Sequence, residues 1–129
     1  MILVDSSVWI DHINRTVTEP VRRLRELFPN SEILIGDLIL CEVLQGVRNE
    51  TAALRLEQMF RGFVPASLSD PELAVKAAAN YRLLRRRGIT IRKTIDMIVG
   101  TFCIDRGHVL LHDDRDFDPM ERFLGLQTV

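Results

Sequence analysis

The run Ile2-Leu3-Val4-Asp5 opens with three apolar residues and ends on a carboxylate. Consecutive apolar side chains of this kind are typical of a strand buried on both faces, as in a parallel sheet covered by helices. Ser6 and Ser7 follow at positions that suit the cap of a helix. The sequence therefore predicts a buried first strand that places Asp5 at the start of a helix.

Short apolar runs and helical segments alternate along the rest of the chain. Further strands are predicted at residues 32–35, 63–65 and 108–112, with a last one within 123–129. Further helices are predicted at 18–28, 37–47, 49–61, 69–88 and 94–105. The fifth of the six helices begins with the capping box Ser69 to Glu72. This alternation predicts an α/β fold whose mainly parallel sheet is covered by helices on both faces.

Length and composition fit one globular domain, residues 1–129. Hydrophobic residues make up 47% and charged residues 27%, which is an ordinary balance. No apolar run reaches the roughly 18 residues that a membrane span needs, and we expect a cytoplasmic protein. Cys41 and Cys103 both lie in apolar runs, so buried thiols are expected.

Carboxylates occur where the sequence predicts apolar surroundings. Glu42 lies in the middle of a helix with no polar face, Asp96 begins an apolar helix, and Asp5 follows the first strand. Asp114 comes directly after the predicted strand 108–112. Because ligands bind at the carboxyl ends of parallel strands, Asp5 and Asp114 are expected at the same edge of the sheet.

Each acid also has a simpler explanation. Asp5 could cap the following helix, and Asp96 could interact with its helix dipole. Glu42 could pair with an arginine such as Arg48 or Arg92, and Asp114 could lie in a solvated turn. Isolated buried carboxylates are rare, because burying an unpaired charge is unfavourable. One shared cation would pair with all four acids and so explains them together. An all-oxygen site favours Mg²⁺ or Mn²⁺, and the scattered histidines do not have zinc-ligand spacing.

The order of these motifs resembles PIN-domain proteins, in particular VapC-type toxins. The resemblance begins with the opening segment, Met1-Ile2-Leu3-Val4-Asp5-Ser6-Ser7-Val8-Trp9-Ile10-Asp11. Glu42 in an apolar helix follows, then Thr94-Ile95-Asp96, and finally Leu110-Leu111-His112-Asp113-Asp114-Arg115-Asp116-Phe117. The resemblance covers the whole chain.

The resemblance implies a three-layer α/β/α sandwich and Mg²⁺- or Mn²⁺-dependent cleavage of single-stranded regions of RNA by metal-activated water. It assigns the metal-binding and catalytic roles to Asp5, Glu42, Asp96 and Asp114, and a weaker, more variable role to Asp116. It also implies a toxin that inhibits translation, a small antitoxin partner, and a homodimer or a larger complex with that antitoxin. One position departs from the family, because His112 stands where Thr or Ser is common.

Basic residues near the predicted site could contact RNA. The candidates are Arg86, Arg87, Arg92 and Lys93. Some of them could instead satisfy the dipole at the end of a helix. His112 could be a general acid or base, although metal-activated water does not require one.

Two other functions remain open on the sequence. A phosphoacceptor signalling domain would also place acids at strand ends, but it usually needs a lysine after a late strand. Both lysines, Lys76 and Lys93, precede the strand predicted at 108–112. A catalytically silent PIN-like binding module is the other possibility, and four retained acids argue against it.

Overall fold

The computed structural model describes residues 1–28 and 32–129, and a five-stranded parallel sheet forms its centre. The strand order is β3-β2-β1-β4-β5, and every neighbouring pair is parallel. The strands are β1 (Ile2–Val4), β2 (Ile33–Gly36), β3 (Val64–Ala66), β4 (Val109–Leu111) and β5 (Gln127–Thr128). The predicted strands are confirmed: the first four lie within one residue of their expected bounds, and β5 lies inside the range 123–129.

Within these residues the helices form two groups. One group packs α1 on α2 and α3, and α3 on α4, while the other packs α5 on α6 and α7. The helices are α1 (Ser6–Ile13), α2 (Glu19–Leu27), α3 (Asp37–Gln45), α4 (Glu50–Phe60), α5 (Pro71–Arg86), α6 (Thr94–Arg106) and α7 (Asp118–Leu124), with a 3₁₀ turn at Arg115–Phe117 before α7. The three-layer α/β/α sandwich is thereby confirmed.

The central strand β1 lies between β2 and β4, with Leu3 paired to Leu34 on one side and Leu110 on the other. All three leucines are buried. Apolar side chains are needed on both faces here because helices cover both. The pairing register sets where each strand ends relative to its neighbours. The residues that follow β1 and β4 therefore lie side by side.

The end of the chain differs from the sequence prediction. The sequence predicted a last strand within residues 123–129 and no helix after the strand at 108–112. The structure instead forms α7, with a proline in its first turn and Gly125 in the left-handed conformation at its end (φ 79°). Phe123 and Leu124 belong to this helix, so the apolar run is divided between α7 and β5.

Two helix caps also differ by one residue from the prediction. Asp5, the alternative cap that the sequence offered, and neither Ser6 nor Ser7, is the N-cap of α1. Asp70, and not Ser69, is the N-cap of α5, where its carboxylate accepts the backbone N–H of Leu73 at 2.8 Å. In both cases a carboxylate takes the cap position, where it satisfies a free N–H and interacts favourably with the helix dipole.

Helix α3 is less buried than its sequence predicts. Ile39 and Val43 are buried, but Leu38 and Leu44 are only half-buried and the Cys41 thiol is exposed. The buried-thiol expectation therefore holds for Cys103 and is wrong for Cys41. The reason is that α3 packs on α1, β2 and α4, which leaves part of its surface uncovered.

Helices α6 and α7 approach each other closely at Gly100. A Cβ atom at this position would collide with the Sδ atom of Met120. The absence of a side chain thus lets α7 lie directly on α6, which carries Asp96 near its start. None of the helices in residues 1–28 and 32–129 is both long and apolar enough to cross a membrane.

Candidate metal centre

The sheet brings the predicted acids to its carboxyl edge. Asp5 directly follows β1, and its backbone N–H donates to the carbonyl of Leu111 at the end of β4 at 2.9 Å. Asp114 lies three residues beyond Leu111. Parallel strands end at the same edge, so residues that are far apart in sequence meet there.

Three carboxylates form a tight group. Asp96, Asp114 and Asp116 each offer an oxygen, and these oxygens all lie within 4.8 Å of one another. Asp96 is in the first turn of α6, while Asp114 caps the 3₁₀ turn by accepting the backbone N–H of Asp116 at 2.9 Å. Asp116, the weaker candidate from sequence, therefore lies beside two of the main candidates.

Asp5 is buried next to this group and is held by Ser7. Its Oδ2 accepts the Ser7 hydroxyl at 2.6 Å and the Ser7 N–H at 3.1 Å. The same hydroxyl oxygen accepts the backbone N–H of Asp113 at 3.1 Å. Ser7 thus joins the segments that follow β1 and β4. Sequence reasoning missed this role, although a serine two residues after an aspartate can bond to it locally.

Glu42 comes from α3 and is half-buried. Its Oε1 is buried and has no hydrogen-bond partner in the described part of the chain. The alternative pairing with Arg48 or Arg92 is not seen among residues 1–28 and 32–129. The Arg92 Nε instead lies 3.5 Å from Asp116 Oδ2, close enough for an ion pair but without hydrogen-bond geometry.

Burial and mutual repulsion perturb the acids of this edge. Burial, together with the charges of Asp5 and Asp114, raises the pKa of Asp96 to about 7, while Lys93 acts in the opposite direction. Burial also raises the pKa of Asp5, against its hydrogen bonds from Ser7. Perturbations of this kind are common at functional sites, where like charges are held together.

The donor set fits a hard divalent cation. Three buried oxygens here lack a hydrogen-bond donor within the described residues: Glu42 Oε1, Asp96 Oδ2 and Asp116 Oδ2. Buried carboxylate oxygens without partners are unfavourable, and a cation would satisfy them while relieving the repulsion. Oxygen ligands from carboxylates suit Mg²⁺ and Mn²⁺.

His112, which departs from the family pattern, contacts the loop that carries Asp114. Its Nδ1 accepts the backbone N–H of Asp114 at 3.2 Å, and its ring lies 4.9 Å from that of Phe117. An Nδ1 that accepts this bond leaves the proton of a neutral ring on Nε2. The observed contact is therefore one that positions the Asp114 backbone.

The basic candidates for RNA contact spread to both sides of the acids. Lys93 is close enough to lower the pKa of Asp96 and Glu42. The Arg87 guanidinium lies 4.6 Å from the centre of the Phe123 ring on α7, and Arg86 is exposed in the last turn of α5. Arg92 and Lys93 are therefore the two of these candidates that the structure places beside the acids.

Comparison with known proteins gives a family match over most of the chain. The sequence model of the PIN domain matches residues 2–122. Ribonuclease VapC11 of Mycobacterium tuberculosis is 31% identical over 131 aligned positions, which cover 99% of this chain and 97% of that protein.

Solved structures of lower identity show the same fold. VapBC2 from Rickettsia felis, bound to a DNA fragment from its promoter, matches with a TM-score of 0.75 at 17% identity, over 100% of this chain and 98% of that chain. A toxin–antitoxin complex from Klebsiella pneumoniae matches with a TM-score of 0.69 at 18% identity, over 91% and 90% of the two chains. Because the family match spans almost the whole sequence and the fold agrees with it, this chain belongs to the PIN-domain family.

Proposed function

We propose that this chain is a divalent-metal-dependent endoribonuclease that cleaves single-stranded regions of RNA. The observation that carries the proposal is the group of Asp96, Asp114 and Asp116, whose oxygens lie within 4.8 Å of one another. Two of these residues bring buried oxygens without a hydrogen-bond donor in the described chain. The 31% identity to a protein named a ribonuclease supports RNA as the substrate.

In this proposal Asp5, Asp96 and Asp114 hold Mg²⁺ or Mn²⁺, with Glu42 and Asp116 completing the acidic edge. A divalent cation supplies Lewis-acid chemistry to a phosphodiester and favours ionisation of a water molecule. Ser7 keeps the Asp5 carboxylate in place through its 2.6 Å hydrogen bond.

Two further side chains assist without binding the cation. Lys93 contributes positive charge beside the acids, where a phosphate would lie. His112 holds the Asp114 backbone through Nδ1, so it positions the loop rather than transferring a proton from that nitrogen.

The test is cleavage of a defined unstructured RNA by the purified chain with Mg²⁺ or Mn²⁺, with and without EDTA. Asp96→Asn is the variant of the site, and Glu26→Gln, an exposed acid on α2, is the matched control. We expect the control to cleave like the wild type. The Asp96→Asn protein should lose cleavage by about 10²-fold or more, because a misplaced metal ligand has effects of this size.

The chemistry of the product ends gives a second readout. Hydrolysis by an activated water should leave 5′-phosphate and 3′-hydroxyl ends. Ends with 2′,3′-cyclic phosphate would show that the RNA 2′-hydroxyl is the nucleophile and would overturn the metal-hydrolysis proposal. Cleavage that survives both EDTA and Asp96→Asn would overturn it as well.

We also infer that this nuclease is the toxin of a toxin–antitoxin pair, inhibits translation, forms a homodimer and binds a small antitoxin protein. The similarity in fold to a toxin–antitoxin complex from Klebsiella pneumoniae supports this inference. Expression of the chain in a bacterial host should arrest growth and amino-acid incorporation, whereas the Asp96→Asn chain should not. Normal growth with abundant, RNA-cleaving protein would contradict the toxin role.

A further inference from the structure

A groove of about 440 Å³ runs between α5 and α6 beside the metal centre. Its floor is apolar and includes Ala77, Ile91 and Met97, which are all buried. The groove exists because α5 presents alanines where it faces α6, so that no large side chain fills the space. Its volume lies within the roughly 300–1,000 Å³ of typical small-molecule sites.

The rim of this groove is strongly basic. Arg82, Arg85 and Arg92 all line it and are all exposed. Neither Arg82 nor Arg85 forms an ion pair within residues 1–28 and 32–129. The Tyr81 ring also lines the groove, with the Arg85 guanidinium 5.6 Å from its centre. The groove therefore fits a ligand that has a flat apolar part and negative charge.

The groove is continuous with the proposed catalytic site. Arg92 lines it and also lies 3.5 Å from the Asp116 carboxylate. Thr94 and Met97, on either side of Asp96 in the first turn of α6, line it too. The groove therefore opens next to the acidic edge, with Arg92 at the boundary between the two.

We propose that the groove between α5 and α6 binds one unpaired base of the RNA substrate, next to the cleaved phosphodiester. The base lies on the apolar floor against Tyr81, and Arg82 and Arg85 contact the flanking phosphates. Base stacking on an aromatic ring tolerates any base, and arginine adds a cation–π contribution. This inference rests on the proposed ribonuclease function and adds a substrate-binding subsite to it.

The first test fills the groove without touching the acids. Ala78→Phe places a ring in the opening from an exposed position of α5, and Val75→Phe places the same ring on an exposed position outside the groove. Both changes are made in the Asp96→Asn background, where bound RNA stays uncleaved. We expect Ala78→Phe to weaken binding of a short unstructured RNA by about tenfold, because one stacked base contributes about this much. Val75→Phe should bind like its parent.

The second test removes the base and keeps the phosphate. Abasic nucleotides placed one at a time along the same RNA should weaken binding at one position next to the cleavage site. In the Ala78→Phe protein that abasic position should cause no further loss, since both changes remove the same contact. Independent, additive losses would overturn the inference.

Two outcomes separate this inference from the proposed function. Wild-type protein that cleaves RNA, with an RNA affinity that Ala78→Phe leaves unchanged in the Asp96→Asn background, would retain the nuclease and overturn the subsite. If Ala78→Phe changes the oligomeric state and leaves RNA affinity unchanged, the groove is an interface between copies and the inference is also wrong. If no RNA is cleaved, a titration with nucleoside monophosphates, followed by NMR, still tests the groove. An absence of chemical-shift changes in α5 and α6 would overturn the inference.

Discussion

Asp96 combines several unfavourable features at one residue. Its side chain is buried, its Oδ2 lacks a hydrogen-bond partner in the described chain, and its pKa is raised to about 7. The sequence predicted the first of these features, since Asp96 stands among apolar residues of a helix. It also predicted Asp5 and Asp114 at the same edge of the sheet, but not how strongly they raise the pKa of Asp96, because that depends on the distances set by the ends of β1 and β4.

Replacing Asp96 with asparagine should stabilise the metal-free protein at neutral pH. The substitution removes a charge that burial and neighbouring carboxylates disfavour, and keeps a similar shape. We expect a gain of about 1–3 kcal/mol in the free energy of unfolding. Urea denaturation in EDTA measures this gain in the free energy of unfolding. A loss of stability would instead show that the carboxylate has a favourable contact that asparagine cannot make.

The stability of the metal-free wild type should fall as pH rises through neutrality. The pKa of Asp96 is about 7 in the folded protein and 3.8 as a model value, so the folded state holds the proton more tightly. Its contribution is fully present below about pH 4 and is lost as pH rises through about 7. Asp5 and Glu42 act in the same direction, since their pKa values are raised too.

This pH effect is checked by urea denaturation in EDTA at about pH 5 and about pH 8, with Asp96→Asn as the comparison. The difference between the two proteins should be small at the lower pH and larger at the higher one. Equal differences at both values would contradict the assignment to Asp96.

At the scale of elements, α6 and α7 meet closely at one point, where Gly100 faces Met120. α6 carries Asp96, and the 3₁₀ turn that leads into α7 carries Asp116. Gly100 and Met120 determine how near these helices lie. A change at this contact should therefore affect both stability and activity, even though neither residue offers a ligand atom.

Gly100→Val should destabilise the protein by about 1–3 kcal/mol, as overpacking in a core does. It should also lower RNA cleavage, because α7 and the preceding turn are pushed away from Asp96. Met120→Ala makes room for the new side chain, so the double variant should recover much of both properties. Thermal denaturation and cleavage rates check this, and a purely additive double variant would argue against the contact.

The elements that sequence predicted well are those with a strong local signal. Asn49 and Thr18 cap their helices by accepting a backbone N–H, as expected for these residue types. Helix α7 was missed because Phe123 and Leu124 belong to the apolar run in which the last strand was predicted. Asp118-Pro119 before Gly125 was the available signal, since proline suits a first turn and glycine a left-handed end.

For the whole molecule, a bound cation should act as a stabiliser, because it would bind only the folded arrangement of acids. At about 100 times its dissociation constant, Mn²⁺ should add about 2.7 kcal/mol to the free energy of unfolding. The Tm should rise by several degrees and return with EDTA. The double variant Asp96→Asn with Asp114→Asn should show no such rise, and an equal rise there would indicate binding elsewhere.

The parallel sheet also has a consequence for how this protein is made. Its central strand β1 is synthesised long before its partner β4 and before the Asp113 amide that bonds Ser7, 106 positions away. Local helices can form early, whereas long-range strand pairing must wait for both partners. A nascent chain that has not yet reached α6 therefore carries Asp5 and Glu42 without Asp96, Asp114 and Asp116, and under the proposed function it should cleave no RNA.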